Sequence, residues 1–199
     1  MTRYLLCFYL MLAALPVVGN NAMPPAGNDY VSKLIQGNQR FIRKDVVRKE
    51  MVTAQNPFCA VLACSDSRVA PELIFDQGLG DLFVVRLAGN IASSEALESL
   101  DFAYTILGVK LIVVLGHQNC GAIQAVMQHT ADQELGAIAT LIEPAVRNSR
   151  SLDQAISANV REQVRIVKQD PDLRAHIENG SLLVVGAVYN FKTGVVTFL

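Results

Sequence analysis

The chain predicts an α/β fold, with a mainly parallel central sheet, an antiparallel C-terminal edge strand and flanking helices. Three observations predict it. Short apolar runs at 58–63, 82–86, 110–115 and 181–188 alternate with segments of helical periodicity. A length of 199 residues, 51% of them hydrophobic, suits one domain with a large core. Two of the runs end in residues that bind soft metals: Cys64 closes the first, and His117 and Cys120 follow the third. Open α/β sheets bind ligands beyond the carboxyl ends of their strands.

The elements can be justified in order. Arg3 precedes an apolar stretch from Tyr4 to Leu15, followed by Pro16 and Gly19. This is the pattern of a signal peptide over residues 1–22, and the stretch is shorter than the roughly 20 residues of a spanning helix. Residues 23–199 then form one exported catalytic domain, periplasmic or secreted. The alternatives are an uncleaved anchor, or a cytoplasmic protein starting at Met23. Residues 20–28, with Pro24, Pro25 and Gly27, read as a linker. Residues 29–44 place Tyr30, Leu34, Ile35, Phe41 and Ile42 near helical spacing, and predict an amphipathic N-terminal arm.

Strand 58–63 leads to a short helix at 71–75, with Pro71 suited to its first turn. Strand 82–86 leads to a helix over 94–107, capped by Ser94, favoured by Glu95 and stopped by Gly108. Strand 110–115 turns at Gly116 into a helix over about 120–129. Residues 132–179 read as largely helical, interrupted at Pro144 and Pro171. Strand 181–188, a turn over 189–194 and a returning strand 195–199 close the chain as an antiparallel hairpin.

Lys+Arg 17 against Asp+Glu 18 leaves almost no net charge, which gives no basic footprint for nucleic acid. A small neutral or singly charged substrate fits better. Without Cys7, three cysteines remain, an odd count that makes a poor disulfide framework. Cys59 reads as an ordinary buried thiol.

Cys64, His117 and Cys120 offer two sulfurs and an imidazole to one zinc ion, leaving the fourth tetrahedral position for water or an acid side chain. Gly116 and Gly121 permit tight backbone beside it, and Cys120 gains thiolate character at a helix N-terminus. Asp66 and Arg68 lie two apart where the first strand turns. Arg68 can clamp the carboxylate, keep it ionised and fix its direction. A surface turn with a local ion pair explains Asp66 and Arg68 equally well when they are taken alone.

Taken together, Cys64-x-Asp66-x-Arg68 and Gly116-His117-x-x-Cys120-Gly121 resemble the β-class carbonic anhydrases. The resemblance runs from Gln36-Gly37-Asn38 to Phe198-Leu199. It includes Pro71-Glu72, Phe75-Asp76 and the stretch from Asp81 to Asn90. It implies a β-carbonic anhydrase-like fold and one zinc per subunit on Cys64, His117 and Cys120. The activity implied is reversible hydration of carbon dioxide to bicarbonate and a proton, by attack of zinc-bound hydroxide. Asp66 and Arg68 would be the catalytic dyad, with Asp66 taking the fourth metal position only in a closed state. Gln55, Phe83, Ala88 and Phe102 fall at substrate-binding positions, although many relatives carry tyrosine where this chain has Phe102. Asn190 stands where an aspartate is common. The resemblance further implies a homodimer or homotetramer, with active sites near subunit contacts.

Other readings use the same residues. Relatives of this fold hydrolyse carbonyl sulfide or carbon disulfide with the same ligands. A non-catalytic zinc-binding protein would leave Asp66 and Arg68 without a role. A thiol redox protein on Cys64 and Cys120 would leave His117 without one. No proton shuttle is evident, His129 and His176 both reading as solvated helix histidines.

Overall fold

The structure, a computed structural model, describes residues 29–44, 46, 49–130 and 135–199. The expected signal peptide and the 20–28 linker lie outside these residues. Contacts divide the chain into Met1–Val46 and Val47–Leu199. The first unit holds helix α1 (Asp29–Ile42), which ends two residues before the expected boundary and carries exposed Tyr30, Leu34 and Ile42.

The second unit is built on five strands: β1 (Cys59–Ala63), β2 (Leu82–Arg86), β3 (Leu111–His117), β4 (Leu183–Tyr189) and β5 (Val196–Phe198). Their order is β2-β1-β3-β4-β5. All neighbours are parallel except the β4–β5 pair. The central strands are buried on both faces, which is why they read as continuous apolar runs rather than alternating ones.

The helices are α2 (Pro71–Ile74), α3 (Ser94–Thr105), α4 (Gly121–Met127), α5 (Gly136–Val146), α6 (Leu152–Gln169) and α7 (Pro171–Glu178). One sheet face places Ala60, Leu62, Ile112 and Val114 in a core with Leu100 and Ala103 of α3 and Val160 and Val167 of α6. The opposite face gathers Val61, Ala63, Val113, Leu115 and Ala187 with Val69. A third cluster surrounds Cys64 and Cys120 with Ile123, Ile142, Val146 and Ile156, from α4, α5 and α6.

Other element boundaries also differ from the sequence expectation. β3 continues through Gly116 and His117 because these residues pair with Val188 and Tyr189 of β4, after pairing with β1 has ended at Leu115. Ser93, not Ser94, caps α3, its hydroxyl accepting from the Ala96 amide at 3.4 Å. The helix after Cys120 ends at Met127. Pro144 sits inside α5 rather than breaking it. It falls in the last turn, where only the Thr140 carbonyl loses its helical partner. The interruption comes instead before Ser151, which caps α6 by accepting from the Gln154 amide at 3.3 Å.

The C-terminal hairpin forms as expected. Asn190 organises its turn, its Oδ1 accepting from the amides of Lys192 and Thr193 at 2.8 and 3.2 Å. Among the described residues no helix is long and apolar enough to cross a membrane.

Candidate metal centre

Parallel pairing brings the C-terminal ends of β1 and β3 side by side, with Ala63 opposite Leu115. Cys64 leaves the first strand, His117 ends the second, and Cys120 is the N-cap of α4. All three are buried, and one ligand atom from each lies within 4.8 Å of the other two. The sulfurs are 3.9 Å apart. Two sulfurs on a tetrahedral zinc, each at about 2.3 Å, would stand about 3.8 Å apart.

His117 is wholly buried, and its Nδ1 lies 2.8 Å from the Gln118 carbonyl oxygen. A carbonyl only accepts, so Nδ1 carries the proton and Nε2 presents its lone pair. That Nε2 has no hydrogen-bond partner. A buried imidazole nitrogen left bare beside two thiols is the state of a ligand set arranged for a cation.

The thiols point the same way. Cys64 is held well below the ordinary thiol range, chiefly by the hydrogen bond from Cys120 and also by the backbone amides of Asp66 and Gly89. Cys120 is pushed up, first by that same bond to Cys64 and then by burial. The pair therefore sheds one proton readily and holds the second against the charge of the first. A divalent cation removes that repulsion and takes both as thiolates. Cys59 lies outside the group, its thiol pushed up to about 11 by burial alone. Cys59, Cys64 and Cys120 form no disulfide.

Asp66 stands at the mouth of the ligand set, its Oδ2 3.9 Å from His117 Nε2. Arg68 grips it at both oxygens. Its backbone amide and Nε donate to Oδ1 at 3.0 and 2.9 Å, and Nη2 donates to Oδ2 at 2.7 Å. This clamp holds the carboxyl well below the usual carboxylate range. The structure thus shows Asp66 paired with Arg68.

Three contributors were not expected from the sequence. Arg86, at the end of β2, donates through Nε to the Cys64 carbonyl at 3.0 Å and through Nη2 to the Asp66 carbonyl at 2.6 Å. Gly89 donates its amide to Cys64 Sγ at 3.4 Å. Phe191 lies under the Arg68 guanidinium, 4.3 Å from ring centre, and meets the His117 ring edge-on at 5.3 Å. Arg86 ends a strand next to Cys64's own, which is a usable signal. Phe191 follows β4, whose Tyr189 pairs with His117, so the parallel β3–β4 pairing puts its ring beside the centre.

Of the expected substrate contacts, Ala88 adjoins Gly89 and so borders the centre. Gln55, Phe83 and Phe102 do not reach it within one chain. Gln55 is exposed in the segment leading into β1, while Cys64 follows that strand's other end. Phe83 pairs with Ala60 near the start of β2, and its ring faces Phe102 at 6.3 Å. His129 is exposed, and His176 is bonded to the Tyr104 hydroxyl at 2.9 Å.

A family profile described as carbonic anhydrase matches residues 59–196. The carbonic anhydrase 2 of Mycobacterium tuberculosis is 37% identical over 180 residues, covering 81% of this chain and 87% of that protein. A Coccomyxa β-carbonic anhydrase solved in complex with acetazolamide superposes with a TM-score of 0.73 at 28% identity, covering 85% and 86% of the two chains. One of two tetrameric β-carbonic anhydrases from Sordaria macrospora shares the fold at a TM-score of 0.69 and 21% identity, covering 85% and 94%.

Proposed function

The chain belongs to the carbonic anhydrase family, in its β class, and we infer that it catalyses the reversible hydration of carbon dioxide to bicarbonate and a proton. One observation carries this reading. The donor atoms of Cys64, His117 and Cys120 converge within 4.8 Å, beside a carboxylate that Arg68 keeps ionised.

These residues would hold zinc, which supplies a Lewis acid that brings the pKa of water to about 7. Asp66 accepts a hydrogen bond from the attacking water at Oδ2 and so aims its lone pair at carbon dioxide. Arg68 keeps Asp66 from protonating and from turning into the ligand set. Arg86 holds the carbonyls on either side of Ser65, so that Cys64 and Asp66 keep their spacing. The test is metal analysis alongside stopped-flow hydration of carbon dioxide. One zinc per chain with fast hydration is expected, and a fully zinc-loaded protein without hydration would overturn the reading.

The proposed assembly is a homodimer, or a homotetramer built from dimers. Gln55, Phe83 and Phe102 lie towards the N-terminal ends of β1 and β2, so as substrate contacts they would serve the site of a second copy. Phe58 and Phe198 support this, remaining exposed around an apolar groove of about 170 Å³. Sedimentation should give a dimer or its multiple, and Gln55→Ala should raise KM without loss of zinc.

For the amino terminus the proposal is export, supported by Arg3 ahead of the apolar residues 4–15. Amino-terminal sequencing of the mature protein should begin near residue 20–23.

A further inference from the structure

Behind the ligand set, α6 carries two wholly buried amides, Asn159 and Gln163, four residues apart on one helix face. Asn159 Nδ2 donates to the Gly89 carbonyl at 2.9 Å. Asn159 Oδ1 accepts from Gln163 Nε2 at 3.1 Å, and the same nitrogen donates to the Leu141 carbonyl at 3.2 Å. Gln163 Oε1 accepts from the Ala92 amide at 2.9 Å. The pair therefore pins the backbone at both ends of the segment 89–92.

That segment is in unusual conformation. Gly89 and Asn90 have φ of 71° and 47°, in the left-handed region. Asn90 is fully buried, and neither atom of its side-chain amide has a hydrogen-bond partner. The loop thus draws its polar side-chain anchorage from α6. A Cβ at Gly89 would come within 2.6 Å of Ile142 Cδ1, and the positive φ adds backbone strain for other residues. Glycine is also the residue whose backbone turns most freely, unless the next peptide is held. Asn159 holds that next peptide, and the Gly89 amide on the near side reaches Cys64 Sγ at 3.4 Å.

We propose that Asn159 and Gln163 are positioning residues for the metal: they hold the peptide that follows Gly89, restrict the turn at that glycine so that its own N–H stays aimed at the Cys64 sulfur, and thereby strengthen metal binding there. The inference rests on the zinc reading of Cys64, His117 and Cys120. Apolar side chains would fill the same space, but they would leave the Gly89 carbonyl and the Ala92 amide buried without partners. Hydrogen bonds to ligand atoms orient them and tune the metal they hold.

The experiment is NMR of the full chain loaded with an NMR-active cadmium isotope in place of zinc. Correlations from the metal to the side-chain protons of Cys64, Cys120 and His117 report the ligand set, and a correlation to the Gly89 amide proton reports the N–H···S bond. Wild type should show both. Asn159→Leu should lose only the Gly89 correlation, and chelator competition should give zinc affinity about 10–100-fold weaker. Val167→Ala, buried on the same helix but with no polar group to offer the loop, should lower stability yet move zinc affinity by less than about twofold. If Asn159→Leu fails to fold, Gln163→Glu keeps the acceptor for Ala92, removes the donors to Asn159 and Leu141, and should weaken the Gly89 correlation. A missing Gly89 correlation in wild type, with the ligand correlations present, overturns the inference alone. So does Asn159→Leu with the correlation and wild-type affinity intact. Absence of every correlation overturns the zinc reading itself.

Discussion

Asp66 Oδ2 stands 3.9 Å from His117 Nε2, although the two residues leave different strands and lie 51 positions apart in the chain (117 − 66). The carboxylate is close enough to meet a ligand of the metal, while Arg68 donates to each of its oxygens and leaves Oδ2 a further lone pair. Asp66→Asn keeps the size of the side chain and removes its charge. Zinc content should stay at one per chain while kcat falls about a hundredfold, the scale of a positioned proton acceptor. Metal analysis beside stopped-flow kinetics separates the two, and zinc lost together with activity would make Asp66 a required ligand instead.

The clamp also fixes the sign of a pH effect. Arg68 lowers the Asp66 pKa, first through its side-chain hydrogen bonds. A lowered native value means that the stabilisation is fully present above the unfolded value of about 4, and is lost only as pH falls through the native one. Between pH 5 and 9 the activity should therefore follow the ionisation of water that zinc sets near 7. Asp66→Asn should lower the whole pH–rate curve and leave its midpoint in place. A midpoint displaced by more than about one pH unit would assign that ionisation to Asp66.

Removal of a ligand should act differently. Cys64→Ser or His117→Ala leaves two of the three donors, so zinc and hydration should disappear together. Atomic absorption on the purified variants checks this. Full zinc in either one would contradict the assigned set.

Arg86→Ala removes two hydrogen bonds to the carbonyls of Cys64 and Asp66. Arg86 is exposed, so the stability cost should be small, about 1 kcal/mol. The spacing of Cys64 and Asp66 should suffer more, with kcat down about tenfold. Urea unfolding and stopped-flow assays together test that split.

Gly116→Ala tests the close approach of α6 to β3. A Cβ there would lie 2.5 Å from Val160 Cγ2, a side chain locked in the core. Overpacking of this kind costs about 1–3 kcal/mol, which urea denaturation would read as a lower midpoint at unchanged slope. Val160→Ala in the same chain should restore part of the loss, and absence of any rescue would place the strain elsewhere.

The strands were legible because a parallel sheet buried on both faces leaves uninterrupted apolar runs, as in Cys59–Ala63 and residues 111–115. Errors gathered at boundaries that pairing decides. His117 reads as a turn residue after Leu115, but its pairing with Tyr189 draws it into β3. Pro144 reads as a helix break, but the last turn of α5 tolerates it.

Read alone, the sequence offered the types of metal ligand, because sulfur and imidazole suit soft cations, and its resemblance to a family supplied the expected dyad and the class of chemistry. Tertiary structure decided which groups support them: Arg86 across a strand pair, Phe191 from just beyond the end of β4, and Asn159 and Gln163 from a helix 70 or more residues beyond the loop they hold. It also set Gln55, Phe83 and Phe102 apart from their own chain's metal centre. Those relations depend on distance in space, which residue spacing does not encode until the sheet has brought the strand ends together.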